Sequence, residues 1–146
     1  MAFMESFPVC LPIQVRFSDL DTLGHVNNAA YLSYLELARI AYFQRILPGW
    51  LQGGHFVLAR VEVDYKTPLF LEDRVEVLAR ALKLGRSSFT MEYRVLKNGE
   101  EAARALSVQV YLEGGRPTPI PEALRRAMGA LEGGALTPLH PGMGNG

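Results

Sequence analysis

From residue 9 to residue 17 the apolar side chains Val9, Leu11, Ile13, Val15 and Phe17 fall at every second position. That is the period of a strand with one buried side, so a first strand is predicted over 9–17, ending at Ser18. The period then changes. Tyr31, Leu35, Ala38, Tyr42 and Ile46 recur at steps of three and four, predicting a helix over 28–47, capped by Asn27 or Asn28 and stopped by Pro48-Gly49. Tyr34, Leu37, Ala41 and Phe43 widen its apolar face until both flanks need cover, which suits a helix wrapped by a sheet. After a turn at Gly53-Gly54, two-residue alternation returns and predicts strands over 56–65, 74–84, 87–96 and 101–113.

The joints between these runs have turn chemistry. Gly85-Arg86 is a tight connection, and Asn98-Gly99 is the dipeptide that favours a type I′ hairpin. In 74–84, Val75, Val77, Ala79 and Ala81 share one face while Glu76, Leu78 and Arg80 share the other, which leaves Leu78 on the outer side. Pro121 opens a short helical pattern over 122–131, and 133–146 is a Gly- and Pro-rich tail. One strand, one long helix and four antiparallel strands make a two-layer α+β domain over 1–132, its five-stranded antiparallel sheet wrapped on a central helix.

Composition narrows the function. With 146 residues, of which 49% are hydrophobic, the chain can bury one sizeable core. Fifteen basic and fifteen acidic residues balance, and no basic block tracks a phosphate backbone, so nucleic acid is not an expected partner. Cys10 is the single cysteine, which excludes an intramolecular disulfide and a metal site of several cysteines; its plainest role is as a small apolar residue. No window reaches the roughly 18 apolar residues of a membrane span, and no leader pattern opens the chain. A cytoplasmic protein that neither spans nor binds a membrane is expected.

Candidate chemistry gathers just before the long helix, where Asp19, Asp21, Gly24, His25, Asn27 and Asn28 fall within ten residues. A helix N-terminus offers free N–H groups and the positive end of the macrodipole, so it suits a carbonyl oxygen that gains negative charge. A carboxylate beside it can attack an acyl carbon or deprotonate a water, and needs no cofactor. Asp21 is favoured over Asp19 because it is nearer the glycine and the helix, while Asp19 at the strand end suits a turn or cap hydrogen bond. Glu36 and Arg39, three apart on the helix, most simply form a structural pair.

These residues resemble the hotdog-fold acyl-CoA thioesterases of the 4-hydroxybenzoyl-CoA thioesterase type. The resemblance rests on Phe17, Asp19, Asp21, Gly24 and Val26 before the helix, Asn28 and Tyr31 at its entry, and Glu36-Leu37-Ala38-Arg39 within it. Val63-Asp64-Tyr65 before a proline and Arg86-Ser87-Ser88-Phe89 opening a strand extend it over about residues 12–113. It implies a hotdog fold and hydrolysis of an acyl-CoA thioester, with Asp21 as nucleophile or general base. By motif position it also implies that the N–H near Asn28 polarises the carbonyl, that His25 orients or polarises the thioester, and that Gly24 lies at the substrate. Arg86, assisted by Lys83, would meet the phosphates of coenzyme A, which is part of the substrate; no separate cofactor or metal is implied. The family further implies a homodimer with its site at the subunit interface, and commonly a homotetramer.

Some features depart from the family. Plant acyl-carrier-protein thioesterases carry Asp-x-Asn-x-His-Val-Asn-Asn, and Leu23 stands here in place of that asparagine. A neighbouring bacterial branch has Tyr-His where this chain has Asn27-Asn28. Gly54-His55-Phe56 resembles a dehydratase tripeptide, but it follows the long helix and lacks the companion residues; His55 and His140 are not expected to be catalytic. The alternatives kept open are a hotdog hydratase or dehydratase, and a non-catalytic acyl-CoA or acyl-carrier-binding protein.

Overall fold

The computed structural model describes residues 7–47, 55–133 and 137–138. Strands β1 (Val9–Ile13), β2 (Phe56–Tyr65), β3 (Val75–Leu84), β4 (Ser88–Lys97) and β5 (Glu100–Glu113) form an antiparallel sheet in the order β1-β3-β4-β5-β2. Helix α1 (Asn28–Ile46) lies on its inner face, and α2 (Glu122–Leu131) packs beside α1. This is the hotdog arrangement of an α+β chain. Two short strands, β6 (Arg116–Pro117) and β7 (Thr137–Pro138), extend β5 and β3; β7, within the stretch read as a tail, runs parallel to Lys83 and Leu84. The turns expected at Pro48-Gly49 and Gly53-Gly54 lie outside the described residues, as does His140.

The alternation read in the sequence becomes the inner face. Val75, Val77, Ala79 and Ala81 of β3, Phe89, Met91, Tyr93 and Val95 of β4, and Ala103 and Ala105 of β5 are buried with Tyr31, Leu35, Ala38, Tyr42 and Ile46 of α1. Burial of this apolar surface, at about 25 cal/mol per Å², is the main favourable contribution to the fold. The widened helix face is only partly covered, for Leu37 is exposed while Tyr34 and Phe43 are buried. Asn98 (φ 51°) and Gly99 (φ 89°) both adopt positive φ between β4 and β5, as a type I′ turn requires.

Two expectations fail for local reasons. The first strand stops at Ile13, not at Ser18, and Phe17–Asp19 is a single 3₁₀ turn that leaves Phe17 82% exposed. Asp19 ends the strand, because its Oδ2 accepts the Arg16 N–H at 3.0 Å and closes the turn. Leu78 is not on an open face either: it is 0% exposed, packed with Leu96 and Cys10 beneath Phe7. The segment preceding β1 therefore covers part of the outer face. Elsewhere that face carries ion pairs: Arg80 to Glu92 joins β3 to β4, Arg94 to Glu101 joins β4 to β5, Arg94 also meets Glu92 within β4, and Lys66, just after β2, meets Glu101. Cys10 is half-buried, with Sγ 3.6 Å from Glu76 Oε2; burial and that carboxylate push its thiol pKa up, so it stays protonated and unreactive.

Candidate active site

The loop between β1 and α1 is built around two aspartates with opposite environments. Asp19 is buried. Its carboxylate accepts the Arg16 N–H and the Arg16 guanidinium, each at 3.0 Å, and the Tyr34 hydroxyl at 2.7 Å from within α1. Its own carbonyl accepts the Asn27 N–H at 2.7 Å, so one residue ties the strand end, the turn and the helix start together. Burial opposes ionisation of Asp19, but the Arg16 amide, the Tyr34 hydroxyl and the Arg16 charge outweigh it and hold the carboxyl below its usual range. Tyr34, buried and bonded to that carboxylate, is pushed up and remains a donor.

Asp21 is exposed. Its Oδ1 accepts the N–H groups of Leu23 at 2.9 Å and His25 at 3.1 Å, an arrangement that fixes the carboxylate by one oxygen. Its Oδ2 has no hydrogen-bond partner among the described residues. The backbone closes around it, with Asp21 N–H donating to His25 O at 2.8 Å and Gly24 N–H donating to Asp21 O at 3.1 Å. Gly24 holds φ at +82° with open space where a Cβ would stand, so backbone conformation and not crowding calls for glycine.

The helix begins directly after this loop. Asn27 is its cap, and its Oδ1 accepts the Ala29 N–H at 2.8 Å while its carbonyl accepts that of Ala30 at 2.9 Å. The Asn28 N–H is left without a partner among the described residues. It borders a cleft of about 230 Å³ whose walls are Asp21, His25 and Asn28 on one side and Tyr65, Lys66 and Pro68 on the other. Tyr65 crosses the seam, donating from its hydroxyl to Asn28 O at 3.2 Å and meeting the Tyr31 ring edge-on at 4.8 Å. Burial and the neighbouring Tyr65 push Tyr31 up to about 12, so both phenols stay protonated at neutral pH. His25 packs its ring edge-on against Phe70 at 5.0 Å, which sets its plane.

The structure thus brings Asp21, Gly24, His25 and Asn28 together at one helix start. It does not bring Arg86 and Lys83 to them. The cleft lies where β2 ends and β5 begins, whereas Arg86 follows β3 and precedes β4 at the other end of the sheet. Ten residues of β4 separate the two ends, about 30 Å at ~3.3 Å per residue. Glu36 and Arg39 do not pair. Arg39 turns inward and donates to the Tyr93 hydroxyl at 3.0 Å. His55 is exposed and packs beside Tyr111 at 5.6 Å, away from the cleft. Ser107 and Gln109 escaped the sequence reading. They alternate in phase with Ala103, Ala105 and Tyr111, so polar residues at inward positions of β5 were the available signal.

A hotdog sheet with a carboxylate, a histidine and a free N–H at the start of its central helix defines a thioesterase architecture. The chain belongs to the thioesterase-like superfamily, which it matches over residues 15–128, and is a thioester hydrolase of the hotdog fold. Among solved structures it is similar to a thioesterase from Thermus thermophilus in complex with coenzyme A and Zn. The two are 62% identical with a TM-score of 0.86, over 89% of this chain and 98% of that one. It is 32% identical to the 1,4-dihydroxy-2-naphthoyl-CoA hydrolase of Synechococcus elongatus, over 76% of this chain and 88% of that protein. It is 30% identical to the long-chain acyl-CoA thioesterase FadM of Escherichia coli, over 69% and 80%. Among the described residues no group of three or more His, Cys, Asp or Glu is placed to hold a metal ion, and no helix is long and apolar enough to cross a membrane.

The Asp19 cluster gives a pH-dependent expectation. A carboxyl held below its unfolded value, near 3.9, stabilises the fold above that pH, and the contribution disappears as pH falls through the folded value. Asp19→Asn should therefore lower stability at pH 7 by about 1.5–3 kcal/mol, the range for hydrogen bonds to a charged group. Urea unfolding between pH 7 and pH 3 should show the two proteins converging as the acid limb is approached. A constant difference across that range would contradict the account.

Proposed function

We propose that the protein hydrolyses acyl-CoA thioesters to the free acid and coenzyme A at the cleft before α1, with Asp21 as the reacting carboxylate. The observation that carries this reading is that Asp21, with its free Oδ2, and Asn28, with its free N–H, line the same cleft. In a bound thioester the carbonyl oxygen would accept the Asn28 N–H, where the helix dipole favours developing negative charge. Oδ2 would then act on the acyl carbon, directly or by taking a proton from a water that does so. The C–S bond breaks, the thiolate leaves with a proton, and oxygen from water ends in the acid. His25 would hold the loop geometry through its backbone and flank the thioester with its ring. Names of relatives that act on acyl-CoA substrates support the same class.

The working unit in this reading is a homodimer. Strand β2 is the last in the sheet, and its Val57, Leu58 and Tyr65 are large apolar residues left exposed. Such an edge is a template for pairing, and a second copy related by a two-fold axis would present its own β2 antiparallel to the first. Antiparallel pairing sets the Phe56 end of one copy beside the Tyr65 end of the other. The partner's Arg86 end of the sheet would then flank this copy's cleft, which gives Arg86 and Lys83 a route to the phosphates of coenzyme A that a single copy lacks. A tetramer loses one of its supports now that Leu78 is covered by Phe7.

Asp21→Asn should reduce kcat for the best acyl-CoA substrate by about 10²-fold or more while the thermal unfolding curve is unchanged. Near-full turnover by that variant would remove Asp21 from the chemistry. Light scattering across a dilution series, with activity measured on the same samples, should show activity disappearing as dimers dissociate. An active monomer would overturn the shared site.

A further inference from the structure

The His25 ring is half-buried at the Asp21 cleft, and neither of its ring nitrogens has a hydrogen-bond partner among the described residues. An imidazole that must keep one orientation is usually held by a hydrogen bond to its far nitrogen. Here the Phe70 ring packs against it instead, at 5.0 Å with the two planes 88° apart. The main chain next to His25 is pinned from the same segment, because Leu69 O accepts the Val26 N–H at 2.8 Å. The segment 66–74, which joins β2 to β3, thus holds the histidine, and its first residues, Lys66, Thr67 and Pro68, form the opposite wall of the cleft.

That segment is fastened in turn by the hairpin between β4 and β5. The Phe70 N–H donates to Asp73 Oδ2 at 2.8 Å and the Asp73 N–H to Phe70 O at 3.2 Å, which closes a tight turn. Asn98 staples the turn to the hairpin: its side-chain amide donates to Asp73 Oδ1 at 3.1 Å, its Oδ1 accepts the Arg74 N–H at 2.8 Å, and its own N–H donates to Arg74 O at 2.8 Å. Lys97, the last residue of β4, brackets Phe70 itself. Its ammonium donates to Pro68 O at 2.9 Å, lies 3.6 Å from Asp73 Oδ2 and stands over the Phe70 ring at 4.9 Å. A cation is attracted to a ring face, and the carbonyl and carboxylate on the same ammonium fix where it stands. Burial opposes ionisation of Asp73, but the Phe70 amide, the Asn98 side chain and Lys97 outweigh it and hold the carboxyl below its usual range, so the bracket stays charged at neutral pH.

We propose that Phe70 is a positioning residue for the His25 imidazole, and that Lys97 holds Phe70 in that role from the β4–β5 hairpin. The inference rests on the thioesterase reading above, in which the His25 ring flanks the thioester. An aromatic contact fixes the plane of the imidazole without occupying either nitrogen, so both remain available to the substrate or to a water.

The test is a double-mutant cycle on hydrolysis of the best acyl-CoA substrate. Phe70→Leu keeps an apolar side chain but removes the ring. It should lower kcat about tenfold with KM unchanged, since a misplacement of about 1 Å at a reacting centre can cost roughly 10²-fold. Phe70→Tyr keeps the ring and should restore most of the rate, while Lys97→Met should give a smaller loss than Phe70→Leu. In a His25→Ala background neither Phe70→Leu nor Lys97→Met should cause a further loss, because their effect passes through that imidazole. Lys97 is half-buried and its ammonium binds only this segment, so Lys97→Met carries the cycle even where Phe70→Leu fails to fold. Full turnover by Phe70→Leu, full turnover by His25→Ala, or losses that multiply in the double variants would overturn the proposal while leaving hydrolysis at the cleft standing. An unsubstituted enzyme that hydrolyses no acyl-CoA would defeat the thioesterase reading, and this inference with it.

Discussion

The buried carboxylate of Asp19 is the constraint on which the site depends. Four tethers meet at that residue: the Arg16 amide, the Arg16 guanidinium, the Tyr34 hydroxyl and the Asn27 N–H. A charge taken from water is costly unless it is paired and hydrogen-bonded, and here both conditions hold. Because the partners come from the strand end, the turn and the second turn of the helix, the loop that follows has little freedom. Asp21 is thereby held beside the helix start without being buried, and it can keep one oxygen for chemistry. Two aspartates separated by one residue are divided between structure and reaction by environment alone.

The seam between α1 and β2 is the other organising feature. Most of the helix is packed into the sheet by apolar contacts, but β2 is an edge strand and leaves that flank half open. The Asp21 cleft lies there, at the Tyr65 end of β2. An edge that would be a liability in a lone domain becomes useful when a second copy completes it. A chain of hydrogen bonds from Arg39 through Tyr93 and Ser107 to Gln109 sits behind the same seam, so the polar groups buried there are paired.

The order of elements was legible because each has its own period, and because Asn98-Gly99 marks its turn unambiguously. Asp21, Gly24, His25 and Asn28 were legible for a similar reason: they are close in sequence, and a helix start needs few residues to define it. What was not legible depended on contacts between distant segments. Val15 and Phe17 continue the alternation of β1, yet the strand stops because Asp19 reaches back to Arg16. Leu78 reads as an outward residue until Phe7 covers it. Glu36 and Arg39 have helix spacing for an ion pair, but Tyr93, more than fifty positions away in the chain, draws Arg39 inward. The distance from Arg86 to Asp21 follows from strand order, which periodicity does not contain.

The central claim is that a thioester carbonyl is held by the Asn28 N–H next to Asp21. It is tested most directly by amide NMR with an acyl-CoA analogue in which a methylene replaces the thioester sulfur, leaving a ketone that cannot be hydrolysed. On binding, the Asn28 amide proton should move downfield and exchange more slowly with solvent, as a new hydrogen bond to a carbonyl requires. A saturated complex in which the Asn28 amide keeps its free shift and exchange rate would contradict the account.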